Sequence, residues 1–189
     1  MVLDQDLGTL VFDFDGTLFH LPVDFDAVRR ELAVGQDAKI GVLLQEFVDA
    51  GDVAGLDVVT KHERLAVQAG DFTAGSRAGL ADWPRRFNVA ILTRNSRHCV
   101  VDALGPLADG LFIVGREDVR RLKPDPEGLH LVIEHFGTPA DRCVMVGDTF
   151  HDVQSAAAAG VRSVVVRNPL LAYAPEGADV YLDDLVDAF

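Results

Sequence analysis

The 189 residues suffice for one domain, or one domain with an insert. With 49% hydrophobic residues and a mean hydropathy of +0.17 they can bury both faces of a sheet, yet no apolar run is long enough to span a bilayer. A formal net charge of −13 leaves no basic stripe for a nucleic-acid partner. The opening MVLDQDLGTL lacks a basic or apolar leader pattern, so the cytoplasm is the expected compartment, and Cys99 and Cys143 read as reduced core residues.

Leu7 to Phe14 is apolar, β-branched and aromatic without polar alternation, the pattern of a strand buried on both faces. Asp13 and Asp15 stand at its end, and Gly16 permits the turn that leaves the sheet. A polar, helical insert follows. Phe25, Val28 and Leu32 predict a short helix opened at Asp24 or Asp26. Ile40, Leu43, Leu44, Phe47 and Val48 keep helical spacing up to a stop at Gly51. Leu56, Val59, Leu65 and Ala66 mark a third helix ending at Gly70.

From Ser76 helices and strands alternate. A helix over Ala78 to Phe87 precedes a strand over Asn88 to Leu92, ending in Thr93-Arg94-Asn95-Ser96, where Asn95 or Ser96 can cap the next helix. Leu111 to Val114 is a short strand. Arg121-Leu122-Lys123-Pro124-Asp125-Pro126 then opens a helix, with Asp125 as cap and Pro126 as first residue, that stops at Gly137. Cys143 to Val146 is an all-apolar strand running into Gly147-Asp148-Thr149-Phe150-His151-Asp152, with His151 read as a loop residue. The small-residue helix after it stops at Gly160. Arg162 to Val166 and Val180 to Leu182 are the last expected strands, with a terminal helix beyond them.

This alternation predicts an α/β fold: a doubly wound parallel sheet (Rossmann-like) from residues 1–17 and 76–189, with a small inserted α-helical cap over 18–75. There is no GxGxxG fingerprint for a dinucleotide. In such a sheet every strand's C-terminal end lies along one edge, where ligands bind. Asp13, Asp15, Thr93, Lys123, Asp148 and Asp152 all sit at or just beyond those ends. Four carboxylates against one ammonium call for a hard divalent cation, and Mg²⁺ suits a few carboxylates plus waters and a phosphate. Helix N-termini after Thr93 and Lys123 offer N–H groups to an anion. A metal-bridged phosphate beside a carboxylate nucleophile is phosphoryl-transfer apparatus.

FDFDGTL, ILTRN, RLKPDPEGL and VMVGDTFHDVQSAAAAG, in that order, resemble the four motifs of the haloacid dehalogenase-like hydrolase superfamily, in its phosphoglycolate phosphatase-like branch with a helical cap. The resemblance implies that Asp13 is the nucleophile and a Mg²⁺ ligand. It implies that Asp15 protonates the leaving oxygen and then activates water, its backbone carbonyl touching the metal. Thr93 would bind the transferring phosphoryl group, with Asn95 as helper and Arg94 at the mouth of the pocket. Lys123 would offset the charge on Asp13 and the phosphate, Asp148 would be the second metal-ligating carboxylate, and Asp152 would support the metal. Phe19-His20 stand where many relatives have an Asp-Ser pair, and the cap is short for its class.

The expected activity is a Mg²⁺-dependent phosphatase acting on a small phosphorylated metabolite through an aspartyl-phosphate. A sugar phosphomutase could share the core. A phosphonate hydrolase would need a Schiff-base lysine, for which the cap offers only Lys39 and Lys61. Asp15 argues against a dehalogenase, which needs no second acid. A phospho-accepting receiver domain also has paired acids, a Thr and a Lys at strand ends, but the insert and the alternating DxD argue against it.

Overall fold

A computed structural model describes residues 7–172, 174–186 and 188–189 of the protein. The first strand, β1 (Thr9–Phe12), is shorter than its apolar run and wholly buried. A two-residue strand β2 (Phe19–His20) leads into three helices, α1 (Phe25–Glu31), α2 (Ile40–Ala50) and α3 (Val53–Val67). The equally short β3 (Asp71–Phe72) returns antiparallel to β2, pairing Phe19 with Phe72. Then come α4 (Ser76–Asp82), β4 (Asn88–Leu92), α5 (Arg97–Leu104), β5 (Phe112–Val114), α6 (Glu127–Phe136), β6 (Cys143–Gly147), α7 (Phe150–Ala159), β7 (Arg162–Val166) and β8 (Val180–Leu182).

The main sheet has six strands in the order β5-β4-β1-β6-β7-β8, all parallel. Side chains alternate across it, so consecutive residues of β1 enter different cores. Leu10 and Phe12 pack with α4, α5 and Trp83, whereas Val11 packs with α6, α7 and the three helices after β2. Covering both faces makes the sheet doubly wound. Phe12 stacks on Trp83 at 4.6 Å between ring centroids, a contact worth about 0.5–1.5 kcal/mol beyond the buried area. The chain leaves β1 toward β4 and β5, then returns to β6 on the other side. Strand order therefore reverses at β1, which opens a crevice at its C-terminal end.

Local chemistry explains the helix ends. Asp24 caps α1 by accepting from Ala27 N, Asp52 caps α3 through Gly55 N, and Ser96 caps α5 through Cys99 N. Gly51, Gly137 and Gly160 end α2, α6 and α7 in the left-handed conformation.

Several expectations need correction. The third helix begins at Val53 and ends at Val67, and Leu65 is exposed while Glu63 takes the buried position on its inner stripe. The helix expected to reach Phe87 ends at Asp82 and gives way to a 3₁₀ turn over Trp83–Arg85 containing Pro84. Pro126 is the cap of α6 rather than its first residue, because Asp125 closes a turn onto Glu127 N. No helix follows Leu182 among the described residues; Asp187 lies outside them. Among the described residues no helix is long and apolar enough to cross a membrane.

Candidate active site

The site is built at the end of β1. Asp13 N still donates to Val146 O on β6 at 2.8 Å, so the nucleophile candidate is held by the sheet itself. Its Oδ1 accepts from Phe14 N at 2.7 Å and lies 2.9 Å from Lys123 Nζ. Gly16 follows at φ 82°, and a Cβ there would run into the Asp148 carboxylate. Only glycine lets the turn pass so close.

Lys123, carried by the loop before α6, is buried and also reaches Asp152 Oδ1 at 2.5 Å. Asp152 belongs to the first turn of α7, where its Oδ2 accepts from Thr149 N at 3.0 Å and Thr149 Oγ1 at 2.7 Å. That capping box engages Oδ2, while Lys123 engages Oδ1. Asp148, at the end of β6, accepts from Asn168 Nδ2 at 2.7 Å. One ligand oxygen from each of Asp13, Asp148 and Asp152 lies within 4.8 Å of the others, and all three residues are buried.

Electrostatics show an excess of negative charge. Burial raises Asp13 to about 6, opposed by Lys123 and reinforced by Asp152. Burial and then Asp13 raise Asp148 to about 7, with Asn168 opposing. Burial depresses Lys123, but Asp13 and Asp152 outweigh it and the ammonium stays charged, held above its ordinary value. Three oxygen-donor carboxylates with one ammonium fit a hard divalent cation, and the raised values of Asp13 and Asp148 show the crowding such a cation would relieve.

Asp15 stands apart from that cluster. Its Oδ1 accepts from Leu21 N at 3.0 Å, and burial raises it to about 7, with Asp13 and Glu63 adding to the rise. A carboxyl of that kind is protonated for much of the time at neutral pH.

Asp13, Asp15, Thr93, Arg94, Asn95 and Lys123 line one cleft of about 280 Å³, roofed by apolar side chains of the three helices after β2, including Phe25, Ile40, Leu44 and Val59. Asp148 and Asp152 do not line it, although each has an oxygen within 4.8 Å of one of Asp13. Of two larger clefts near Asn168, one is lined by Asp148, but neither is lined by Asp13, Asp15, Thr93 or Lys123, so chemistry rather than size marks the site. Thr93 is buried, with its hydroxyl 2.9 Å from Asn95 Oδ1. Arg94 donates from Nη2 to Gly41 O and places Nη1 3.0 Å from His151 Nε2. His151 is thus no loop residue: it sits in the first turn of α7, half-buried, and burial together with Arg94 lowers it to about 4. His20 is exposed and lines a different cleft.

Three residues at the site escaped sequence reasoning. Asn168, just past β7, holds Asp148. Glu63 and Arg116 form a buried ion pair with Oε1–Nη1 at 2.7 Å, and Glu63 also accepts from Asn95 Nδ2 at 3.0 Å. The available signal was a carboxylate on the Val59–Glu63–Ala66 stripe of α3, where a charge is costly unless paired.

A profile of the haloacid dehalogenase-like hydrolases matches residues 7–160. The chain is 30% identical to a phosphoglycolate phosphatase of Rhodospirillum rubrum over 191 residues, covering 83% of this chain and 78% of that protein. It is 36% identical to the pyrophosphatase PpaX of Bacillus pumilus over 186 residues, covering 86% and 84%. In three dimensions it resembles a hydrolase from Pseudomonas syringae at a TM-score of 0.75 and 18% identity, covering 95% of each chain, a likeness of fold alone. Profile, relatives and fold agree, and the chain belongs to the haloacid dehalogenase-like hydrolase family, in its phosphoglycolate phosphatase-like branch.

Proposed function

We propose that this chain, a phosphoric monoester hydrolase, uses Mg²⁺ and an aspartyl-phosphate on Asp13 to hydrolyse a small phosphorylated metabolite. The observation that carries the reading is the Asp13–Lys123 contact of 2.9 Å in the lining of the cleft, with an oxygen of Asp148 and of Asp152 each within 4.8 Å of Asp13. Oδ1 of Asp13 is engaged by Phe14 N and Lys123, which leaves Oδ2 to attack phosphorus. As that bond forms, the ester P–O bond breaks and Asp15 gives its proton to the leaving oxygen. Asp15, now a carboxylate, takes a proton from a water that attacks phosphorus. The bond to Asp13 then breaks and inorganic phosphate departs.

Lys123, Thr93 and Asn95 hold the phosphoryl oxygens, and residues 18–75 act as the cap over the leaving group. Asp13, Asp148 and the Asp15 backbone carbonyl would hold Mg²⁺, with Asp152 supporting it. The bound cation supplies charge neutralisation for the phosphate and the crowded carboxylates. Among the neighbouring activities, a phosphonate hydrolase loses support: neither Lys39 nor Lys61 lines the cleft, and Lys61 is paired with Glu31 at 2.8 Å.

The test is a panel of phosphorylated metabolites, with phosphoglycolate and pyrophosphate included because relatives carry those names, assayed with Mg²⁺ and with a chelator. Mg²⁺-dependent phosphate release is expected. Equal release in chelator would overturn the metal requirement, and transfer of phosphate within a sugar phosphate would turn the reading toward a mutase.

A further inference from the structure

Glu63 reaches the site from α3, and only 3% of it is exposed. Its two oxygens receive Arg116 Nη1 and Nη2, each at 2.7 Å. Each oxygen takes a second bond from the loop after β4: Oε1 from Asn95 Nδ2 at 3.0 Å, Oε2 from Ser96 N at 3.2 Å. Arg116 in turn donates to Arg94 O at 3.0 Å and to Thr60 Oγ1 at 2.6 Å.

A carboxylate only accepts, so Glu63 decides which end of the Asn95 amide faces it. The NH₂ turns to Glu63, and the amide oxygen is thereby aimed at the Thr93 hydroxyl, 2.9 Å away. Asn95 N donates back to Thr93 Oγ1 at 3.1 Å, closing a small ring of bonds. Stability alone does not account for this arrangement. Buried ion pairs can be replaced by apolar residues of similar volume with little or no loss. An apolar pair, however, cannot orient an amide.

We infer that Glu63, backed by Arg116, is a positioning residue through which α3 fixes the Asn95 amide and the Thr93 hydroxyl of the phosphoryl-binding loop. This rests on the reading of Thr93 and Asn95 as phosphoryl contacts, the Thr93 proton turning from Asn95 Oδ1 to a phosphoryl oxygen when phosphate enters while Asn95 N keeps Oγ1 in place. The helices between β2 and β3 thus do more than roof the cleft, because one of them completes the loop that grips the transferred group.

The test is the double variant Glu63→Met/Arg116→Met, which removes both charges together and leaves neither buried alone. Melting followed by circular dichroism establishes folding, p-nitrophenyl phosphate gives kcat and KM, and calorimetry gives the affinity for inorganic phosphate. A folded double variant is expected to lose roughly 10- to 100-fold in kcat with little change in KM, as misplacement of a transition-state contact does. Adding Asn95→Ala should cost no more than Asn95→Ala alone, because Glu63 acts through that amide. Wild-type kcat in the folded double variant, or losses that multiply in the triple one, would overturn the inference.

Should the double variant not fold, Glu63→Asp carries the test. It keeps a charge beside Arg116 but withdraws the oxygens from Asn95 and Ser96, so unchanged kcat in folded Glu63→Asp overturns the inference equally. If the wild-type chain turns over no phosphate ester, the phosphatase reading fails and phosphate binding decides. Weaker binding by the variant sustains the role of Glu63; equal binding, or none by the wild type, removes it.

Discussion

Lys123 Nζ lies 2.9 Å from Asp13 Oδ1, with both residues buried. The same ammonium reaches Asp152, so a single cation separates two carboxylates supplied by different crossovers of the fold. Lys123→Met leaves those acids facing one another. Metal-free protein carrying it is expected to lose about 3–5 kcal/mol, measured by urea unfolding, and the same variant assayed with Mg²⁺ is expected to lose its activity. A loss well under 1 kcal/mol would mean that the acids are relieved by other means.

Asp13→Asn removes the proposed nucleophile and one charge from the crowd. Turnover of an aryl phosphate should fall roughly 10³-fold or more. Its metal-free melting temperature should not fall, since a neutral amide is cheaper to bury there than a carboxylate. Undiminished turnover would take Asp13 out of the chemistry.

Asp15→Asn separates the two halves of the reaction. Alkyl phosphates should lose about 10²- to 10⁴-fold in rate, because their leaving oxygen needs the proton. With p-nitrophenyl phosphate, whose leaving group needs no proton, one equivalent of nitrophenol should appear in a burst before turnover stalls at the unactivated water. Steady full-rate release from p-nitrophenyl phosphate would exclude Asp15 as the base, and undiminished turnover of alkyl phosphates would exclude it as the acid.

The raised carboxyls also set a pH dependence of stability. Asp13, Asp15 and Asp148 hold their protons to about 6, 7 and 7 in the folded chain, above the ordinary carboxylate range. Between that range and those values the folded state binds more protons than the unfolded one, so stability falls as pH rises. Metal-free protein should melt at a lower temperature at pH 7.5 than at pH 5, and millimolar Mg²⁺ should remove most of that slope. A rise in melting temperature over the same interval, without metal, would contradict the arrangement of charges.

Continuous apolar runs made β1, β4, β6 and β7 legible, since a strand covered on both faces needs no polar residue to mark its ends. The glycines that stop α2, α6 and α7 were equally plain, whereas the third helix ends at Val67, short of Gly70. Asp13, Asp15, Thr93 and Lys123 could be placed at one rim because a parallel sheet puts its strand ends there, and the structure brings them to one cleft. The rest depended on contacts that periodicity does not record. Two-residue strands such as β2 and β3 have no period to read. Glu63 resembles any helix-surface glutamate until Arg116 meets it, and Asn168 lies in a loop whose partner is on another strand. Leu65 marks the third helix together with Leu56, Val59 and Ala66, yet it is exposed while Ala66 is buried.

The Phe19–Phe72 pairing has a bearing on how relatives can diverge. It stitches the outgoing and returning chain together at one point, so the span between them begins and ends at a fixed gap whatever its length. Evolution, or an engineer, can therefore lengthen, shorten or exchange that span without rethreading the sheet. The exception is the residue at position 63, whose reach to Arg116 any replacement would have to reproduce.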